Sequence, residues 1–328
     1  MEFPPLVVFL AGLIIIIVGA ELILRGASRF AALMGLKPMI IGLTVVSIGT
    51  SMPELAVGIT AVSEGRGALA VGNIAGTNIV NVLLILGLSA AIRRLPLELL
   101  SIKLDVPVMI ASAVVLIIMA WNGVLSRLEG FILFAGAIAY TVVLIRLSKR
   151  ETSEIRKEYE EEYGKDVLLK KKTGTGLVIL NIVILIVGIA LTILGAEWLV
   201  AGAVDIAETF GVSDAVIGLT IIAIGTSAPE LATTIVATIK NDREVAVGNL
   251  IGSSITNILV VLSLTCIISP NGVDVSDEIL WFDLPLAAAV AIVCYPVFRS
   301  DKMVSRTEGI AFVSLYVVYL TTLLVFRT

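Results

Sequence analysis

Long apolar runs separated by short polar segments dominate the chain. Most runs approach the roughly 20 residues that a helix needs to cross the hydrocarbon core of a bilayer. They lack the alternation of apolar and polar residues that a membrane β-barrel requires. The pattern therefore predicts an all-α integral membrane protein with ten transmembrane helices. Their approximate bounds are 5–24, 38–62, 68–92, 105–121, 128–147, 175–199, 214–239, 244–269, 281–298 and 307–326.

One long hydrophilic segment, residues 148–174, divides this pattern into two groups of five helices. Its density of charged residues is typical of a solvated linker or a short surface helix. We expect a first five-helix repeat over residues 1–147, a cytoplasmic linker over 148–174 and a second five-helix repeat over 175–328. The first apolar run lacks a basic segment before it and a small-residue cleavage site after it, so we expect a retained span and no signal peptide.

The two groups of helices are copies of one unit. Residues 42–61 (GLTVVSIGTSMPELAVGITA) return as residues 218–237 (GLTIIAIGTSAPELATTIVA), with 13 of 20 positions identical and no gap. Residues 19–21 match residues 195–197 at the same offset of 176. Because each copy holds an odd number of helices, the second copy enters the membrane from the opposite side. Such an inverted repeat is typical of secondary transporters.

Each copy carries one acid in the middle of a span, Glu54 in the first and Glu230 in the second. A charge at the bilayer centre costs roughly 2.5 to 3.5 kcal/mol on insertion scales. Neither span contains a Lys or Arg that could neutralise the acid. The repeated acid therefore predicts a cation site at the midplane.

Further oxygen atoms are expected beside these acids. Residues four apart share one face of a helix, and a proline inside a helix frees the carbonyl four residues before it. Pro53 and Pro229 would thereby free the carbonyls of Gly49 and Gly225. The side chains that helical spacing adds to the site are Thr50, Thr226, Thr77, Asn81, Ser253 and Asn257.

Composition narrows the chemistry of this site. The chain is 58% hydrophobic and 15% charged, and it contains no histidine, which excludes histidine metal sites and histidine-activated nucleophiles. Cys266 and Cys294 lie in apolar runs and are interpreted as small buried hydrophobes. The remaining ligands are oxygens, which suit Ca²⁺ with its six to eight oxygen ligands and equally suit Na⁺ or protons. Mg²⁺ fits less well because it dehydrates reluctantly.

The basic residues predict the orientation. Of the 23 Lys and Arg residues, 20 fall in the loops on one side of the ten-helix arrangement. Loops rich in Lys and Arg face the cytoplasm. Both termini of this multi-pass protein are therefore expected to face outward.

Other polar residues in the spans admit a structural interpretation, because Ser, Thr and Asn often bond across to neighbouring helices. We favour this interpretation for Asn73 and Asn249. Glu21 and Glu197, near the expected ends of helices 1 and 6, fit either an ion entrance or simple termination of the spans.

Four acids near the starts of helices are interpreted as caps, since acidic side chains satisfy free backbone N–H groups there. Asp105 and Asp283 precede prolines at the expected starts of helices 4 and 9. Glu129 and Glu308 lie at the starts of helices 5 and 10.

The motifs GTSMPEL with GNIAGTNIVN, and GTSAPEL with GNLIGSSITN, resemble the two alpha-repeats of the calcium/cation antiporter superfamily, close to the prokaryotic sodium/calcium exchangers. The resemblance covers nearly the whole chain. It implies a plasma-membrane antiporter that moves calcium out against entering sodium, commonly three sodium ions per calcium. It also implies that helices 1 and 6 slide against the other eight.

The resemblance further implies the ligands of each ion. Calcium would bind Glu54, Glu230, Thr50 and Thr226. Sodium sites would add Ser51, Ser227, Thr77, Ser253 and the backbone carbonyls of Ser47 and Ala223. Some relatives carry aspartate where this chain has Asn257, particularly potassium-dependent ones, so potassium co-transport is not expected. With two acids at the centre, three sodium ions exceed the fixed charge by one, which predicts transport with net charge movement.

Two rival functions stay open. A calcium/proton antiporter would use protons on the same two acids, and a cation channel would use the oxygens as a filter, although pores are usually built from symmetric subunits or parallel repeats. An intramembrane hydrolase would need a midspan base that the chain lacks. We expect no enzymatic activity, no cofactor and no nucleic-acid partner. The expected partners are calcium and sodium ions and the lipid bilayer, and a monomer would suffice.

Overall fold

Helices form almost the entire computed structural model, which describes residues 4–34, 36–163, 175–211, 221 and 223–326. The helices include short π-helical and 3₁₀ turns within several spans. In chain order they are α1 Pro5–Met34, α2 Pro38–Thr50, α3 Met52–Ser63, α4 Gly67–Ile92, α5 Ser101–Asn122, α6 Arg127–Tyr163, α7 Thr175–Thr209, α8 Ala223–Thr226, α9 Ala228–Ile239, α10 Arg243–Ile268, α11 Ile279–Asp301 and α12 Arg306–Phe326.

Eight of these helices are long and apolar enough to cross a membrane, and the pair α2 and α3, which is bent by 41°, gives a ninth when it is counted as one span. The chain is therefore a multi-pass helical membrane protein. The expected seventh helix, 214–239, begins among residues 212–220, which lie outside the described residues. Its second part is present as α8 and α9.

Several expected helix ends are wrong. α1 continues to Met34 where residue 24 was expected, and α7 continues to Thr209 where residue 199 was expected. Glu21 and Glu197 therefore lie inside helices and do not terminate them. α6 similarly extends to Tyr163. The physical reason is that hydropathy reports membrane thickness, whereas a helix can continue into water on its own hydrogen bonds.

The long helices α1 and α7 cross each other at very close range through glycines. A Cβ atom added at Gly12 would lie 2.8 Å from the carbonyl oxygen of Gly195, and one at Gly19 would lie 2.8 Å from that of Gly188. Small residues at such crossings let helix backbones approach one another in membranes. α1 and α7 consequently form one tightly packed pair.

Two of the four acids predicted as helix caps form such caps in the structure. Glu129 accepts hydrogen bonds from the backbone N–H and hydroxyl of Ser126, at 2.6 and 2.8 Å. Glu308 does the same with Ser305, at 2.8 and 2.7 Å. Both are capping boxes, with Ser at the N-cap and Glu three residues later. The capping prediction is confirmed for these two glutamates.

The capping prediction is wrong for the two aspartates. A π-helical turn precedes each of them, Ser101–Asp105 and Ile279–Asp283, so that both lie inside a continuing helix and make no cap. Asp105 is buried and accepts a hydrogen bond of 3.0 Å from the Tyr140 hydroxyl. Its role is to join α5 to α6.

Two short antiparallel ribbons tie the halves together. β1, Leu95–Pro96, pairs with β4, Met303–Val304, and β2, Val124–Leu125, pairs with β3, Val273–Asp274. Each ribbon takes one strand from each half. Exchanging the halves converts one ribbon into the other, as a two-fold related pair of copies requires. The principal hydrophobic core lies between the same halves, mainly within α4, α5, α10 and α11.

Candidate cation site

The site is built at two matched helix breaks. Ser51 separates α2 from α3 with φ −84° and ψ 11°, and Ser227 separates α8 from α9 with φ −87° and ψ 7°. The prolines predicted to interrupt these helices lie in the first turn after each break, where proline is well tolerated. Glu54 and Glu230 also lie in that first turn. The positive end of each half-helix dipole is therefore close to a carboxylate.

Both glutamates are fully buried, with 0% of either residue exposed. Among the described residues, neither makes a salt bridge with a basic side chain. A buried charge without a partner is expensive. The half-helix dipoles offset only part of this cost, so a cation is required to neutralise the pair when both carboxylates are ionised.

Groups from both halves surround the carboxylate of Glu230. The Ser51 hydroxyl, from the first half, donates to Glu230 Oε1 at 3.2 Å. The Ser253 hydroxyl, from α10, donates to the same oxygen at 3.5 Å. Thr50 also faces this carboxylate. The structure thus brings Thr50, Ser51 and Ser253 to Glu230, as expected from the repeated motifs.

Many buried polar atoms at this centre have no hydrogen-bond partner among the described residues. Buried polar side-chain atoms are normally paired, so a cluster of unpaired ones needs an explanation. Oxygens predominate in the cluster, and they are the ligands that Ca²⁺ and Na⁺ prefer. The unpaired atoms on predicted site residues are Glu54 Oε1 and Oε2, Glu230 Oε2, Ser227 Oγ, Asn81 Oδ1 and Nδ2, and Asn257 Oδ1.

Asn81 and Asn257 occupy equivalent positions on α4 and α10. Each lies in a π-helical turn, Val80–Leu86 and Asn257–Leu262. Such turns within α-helices occur frequently at functional sites. Both residues are buried, and Asn257 donates through its amide to Asn78 Oδ1 at 3.1 Å, which leaves its own oxygen available to a ligand.

Four other predicted residues make no described hydrogen bond with either glutamate. Ser47 is buried, and its carbonyl accepts from Thr50 at 3.4 Å. Ala223 begins α8 and Thr226, half-buried, ends it. Thr77 is buried but lines a separate cavity of about 90 Å³ with Asn73 and Tyr316. No described hydrogen bond joins Thr77 to either glutamate.

Two further asparagines support the site: Asn249, which the sequence assigned to packing, and Asn78, which the sequence did not single out. Asn249 accepts from the Thr50 hydroxyl at 3.3 Å and donates to Thr234 at 3.2 Å. Asn78 donates to the carbonyl of Ser254 at 3.2 Å. The bonds of Asn249 to Thr50 and of Asn78 to Ser254 join the two halves. The inter-helix role expected for Asn249 is confirmed, although its attachment to Thr50 was not foreseen.

The surroundings of the site differ between the halves. On α1, Leu24 and Ala27 are 4% and 0% exposed in a small hydrophobic core against α9 and α10. Their equivalents on α7, Val200 and Ala203, are only half-buried. A cavity of about 610 Å³ separates α7 from α3 and reaches Thr226. The halves are therefore packed differently at the approaches to the site, although a cavity lies beside α3 in one half and beside α9 in the other.

Comparisons with known proteins find similar sequences that cover almost the whole chain. The family described as "Sodium/calcium exchanger protein" matches residues 4–146 and 180–325. The chain is similar to the sodium/calcium exchanger MaX1 of Methanosarcina acetivorans, with 31% identity over 343 residues that cover 96% of this chain and 97% of the relative. It is also similar to inner membrane protein YrbG of Escherichia coli, with 33% identity over 318 residues, 96% of this chain and 95% of the relative.

A solved structure gives the same result for the fold. The sodium–calcium exchanger NCX_Mj aligns with a TM-score of 0.81 and 27% identity, covering 98% of this chain and 99% of that one. The family match spans well over half of the sequence, and the matched motifs contain both buried glutamates. The chain therefore belongs to the sodium/calcium exchanger protein family, as a multi-pass member of the calcium/cation antiporter superfamily.

Proposed function

We propose that this chain exchanges sodium for calcium across the plasma membrane by alternating access at one shared site. Glu54 and Glu230 provide the charge, and Thr50, Thr226, Ser51, Ser227, Thr77, Ser253, Asn81 and Asn257, with the carbonyls of Ser47 and Ala223, provide the remaining oxygens. The observation that carries the proposal is the pair of fully buried glutamates without a basic partner among the described residues. The family match supports calcium and sodium as the transported ions.

Obligatory exchange follows from the charge of the site. With both carboxylates ionised and no cation bound, closing the site would leave two negative charges in a low dielectric. Either one Ca²⁺ or a set of Na⁺ ions offsets them. The empty carrier therefore crosses slowly, and each crossing carries ions in one direction or the other.

The full arrangement proposed is ten spans in two inverted repeats, 1–147 and 175–328, joined by the cytoplasmic linker 148–174, with both termini outside. In this orientation Leu24 and Ala27 of α1 pack against α9 and α10 on the cytoplasmic side, beside an apolar crevice between α1 and α9. The cavity between α7 and α3 opens the outer side. Because Leu24 and Ala27 are buried on the cytoplasmic side, whereas Val200 and Ala203 on the outer side are only half-buried, we assign the structure to the outward-facing state.

Radioactive calcium uptake into proteoliposomes tests the coupling ion. Vesicles loaded with sodium are compared with potassium-loaded vesicles and with vesicles under a pH gradient. We expect uptake only when sodium is inside, and faster uptake under a membrane potential that favours the net charge movement. Uptake driven by the pH gradient alone would replace the proposal with calcium/proton exchange, and flux without any counter-ion would replace it with a channel.

An ion pair on the cytoplasmic side is expected to favour the outward-facing state. Lys240, at the end of α9, contacts Glu21 on α1, and the Ser28 hydroxyl donates to Asp242 at 2.5 Å. The equivalent of the ion pair in the other half would be Glu197 with Glu64, two acids that repel each other. The contact therefore has no counterpart that would stabilise the inward-facing state.

Removing this ion pair by Lys240→Gln should expose the α1–α9 contact to the cytoplasmic side more often. In a Val236→Cys background, we expect an impermeant thiol reagent to react up to about fivefold faster, because partly exposed pairs contribute up to about 1 kcal/mol. Lys103→Gln, which removes an exposed lysine elsewhere, is the control. An unchanged rate in Lys240→Gln would show that the pair does not bias the two states.

A further inference from the structure

An apolar crevice of about 950 Å³ runs between α1 and α9, with Leu88 of α4 and Leu199 of α7 also lining it. Its walls are almost entirely Leu, Ile, Val, Ala and Gly. The charged exceptions are Glu21, Arg25 and Lys240, and Lys240 marks the end next to the α9–α10 loop. The crevice therefore has one apolar body and one charged end.

The apolar body is accessible from the hydrocarbon of the membrane. Leu13 and Ile17 of α1 line it and are 38% and 47% exposed, and Ile239 at the other wall is 56% exposed. Empty volume beside apolar side chains forfeits dispersion contacts. Its size lies in the range of sites that hold small apolar ligands, roughly 300 to 1,000 Å³. A lipid acyl chain is the molecule of this chemistry that a bilayer supplies.

The charged end carries an excess of cations. Arg93, after α4, and Arg243, at the start of α10, both donate to Asn241 Oδ1, at 3.3 and 2.9 Å. These two arginines adjoin Lys240, which follows the crevice wall directly in the chain. Among the described residues, neither arginine forms a salt bridge with an acid.

The neighbouring acids neutralise only part of this charge. Glu21 contacts both Arg25 and Lys240, while Asp242 accepts from Ser28. With Glu244, which follows Arg243 and lies near Asp242, four basic side chains adjoin three carboxylates. Arginine guanidinium groups present paired donors that match phosphate oxygens.

We propose that the α1–α9 crevice binds one anionic phospholipid, with its phosphate at Arg93 and Arg243 and an acyl chain between α1 and α9. Basic loops attract anionic lipids in general. The proposal differs from this general attraction because it requires both the arginine pair and the apolar crevice. It is independent of which ion drives calcium transport.

Native mass spectrometry of the full-length protein tests the proposal, with phosphatidylglycerol or phosphatidylcholine of identical acyl chains as the probe. We expect one phosphatidylglycerol to be retained at concentrations where phosphatidylcholine is lost. Arg93→Gln with Arg243→Gln should reduce this preference by roughly fivefold per arginine. Arg94→Gln with Arg299→Gln removes the same charge from exposed positions and should leave the preference unchanged.

The acyl chain is tested separately by filling the crevice. Ala232→Phe places a bulky ring in its wall and should lower retention of both lipids, whereas Ala111→Phe, on an exposed face of α5, should not. Equal binding of the two lipids by the native chain would overturn the proposal. An equal loss of the lipid preference in the two double-arginine variants would also overturn it. Full retention of lipid by Ala232→Phe would do the same, since either result indicates adsorption of lipid to the protein surface.

Discussion

Sodium-driven calcium uptake should fall by roughly a hundredfold or more in Glu54→Gln and in Glu230→Gln. Glutamine keeps the shape of the side chain and one oxygen, so the substitution removes mainly the charge. Leaving one member of a buried charged set without its partner typically costs about 3 to 5 kcal/mol, which corresponds to roughly 10²- to 10⁴-fold. The initial rate of radioactive calcium uptake in sodium-loaded proteoliposomes measures this effect.

The matched control is Glu278→Gln, which makes the same chemical change at an exposed position. Its uptake should equal that of the native chain. Normal uptake by either buried variant would contradict the assignment of these carboxylates as ligands. A comparable loss of calcium uptake in the control would show that the effect comes from the handling of the protein and not from the site.

The second large effect, on stability and calcium exchange, is expected from a substitution at the crossing of α1 and α7. In Gly195→Ala, the new methyl group would lie 2.9 Å from the carbonyl oxygen of Gly12 and closer still to the backbone nitrogen of Ile16. Backbone atoms cannot rotate away as side chains do, so the helices must separate. Overpacking of this kind typically costs about 1 to 3 kcal/mol. We expect a lower unfolding temperature and slower calcium exchange.

Gly176→Ala provides the control on the same helix, because a methyl group there meets no atom within 4 Å. Alanine is a better helix former than glycine by about 1 kcal/mol, so this variant should be as stable as the native chain or slightly more so. Thermal unfolding in detergent and calcium uptake compare the two. Equal stability of the two variants would show that the crossing tolerates extra volume and is not closely packed.

The sequence predicts the spans well because membrane helices must be apolar over a fixed length. The sequence does not predict correctly where several of these helices end. α1 passes through Glu21 and Arg25 without breaking, because Glu21 pairs with both Arg25 and Lys240. Asp105 was misplaced as a cap because the π-helical turn before it leaves no mark in the hydrophobic pattern.

For the site, the repeated motif identifies Glu54 and Glu230 because burial of an acid is visible as a charge within an apolar run. The contacts that orient the ligands are not visible in this way. The bonds of Thr50 to Asn249 and of Asn257 to Asn78 join residues 199 and 179 positions apart. Only the three-dimensional arrangement of the halves determines such pairs.

The glycine crossing of α1 and α7 also limits how far these two helices can move independently of each other. Because the two helices are in backbone contact at several points, a shift that separates α1 from α9 must carry α7 with it toward α3. In the proposed exchange mechanism, opening of the site on one side would then force closing on the other. If the two helices could move separately, the site could be open to both sides of the membrane at the same time. The ions would then leak down their gradients without exchanging.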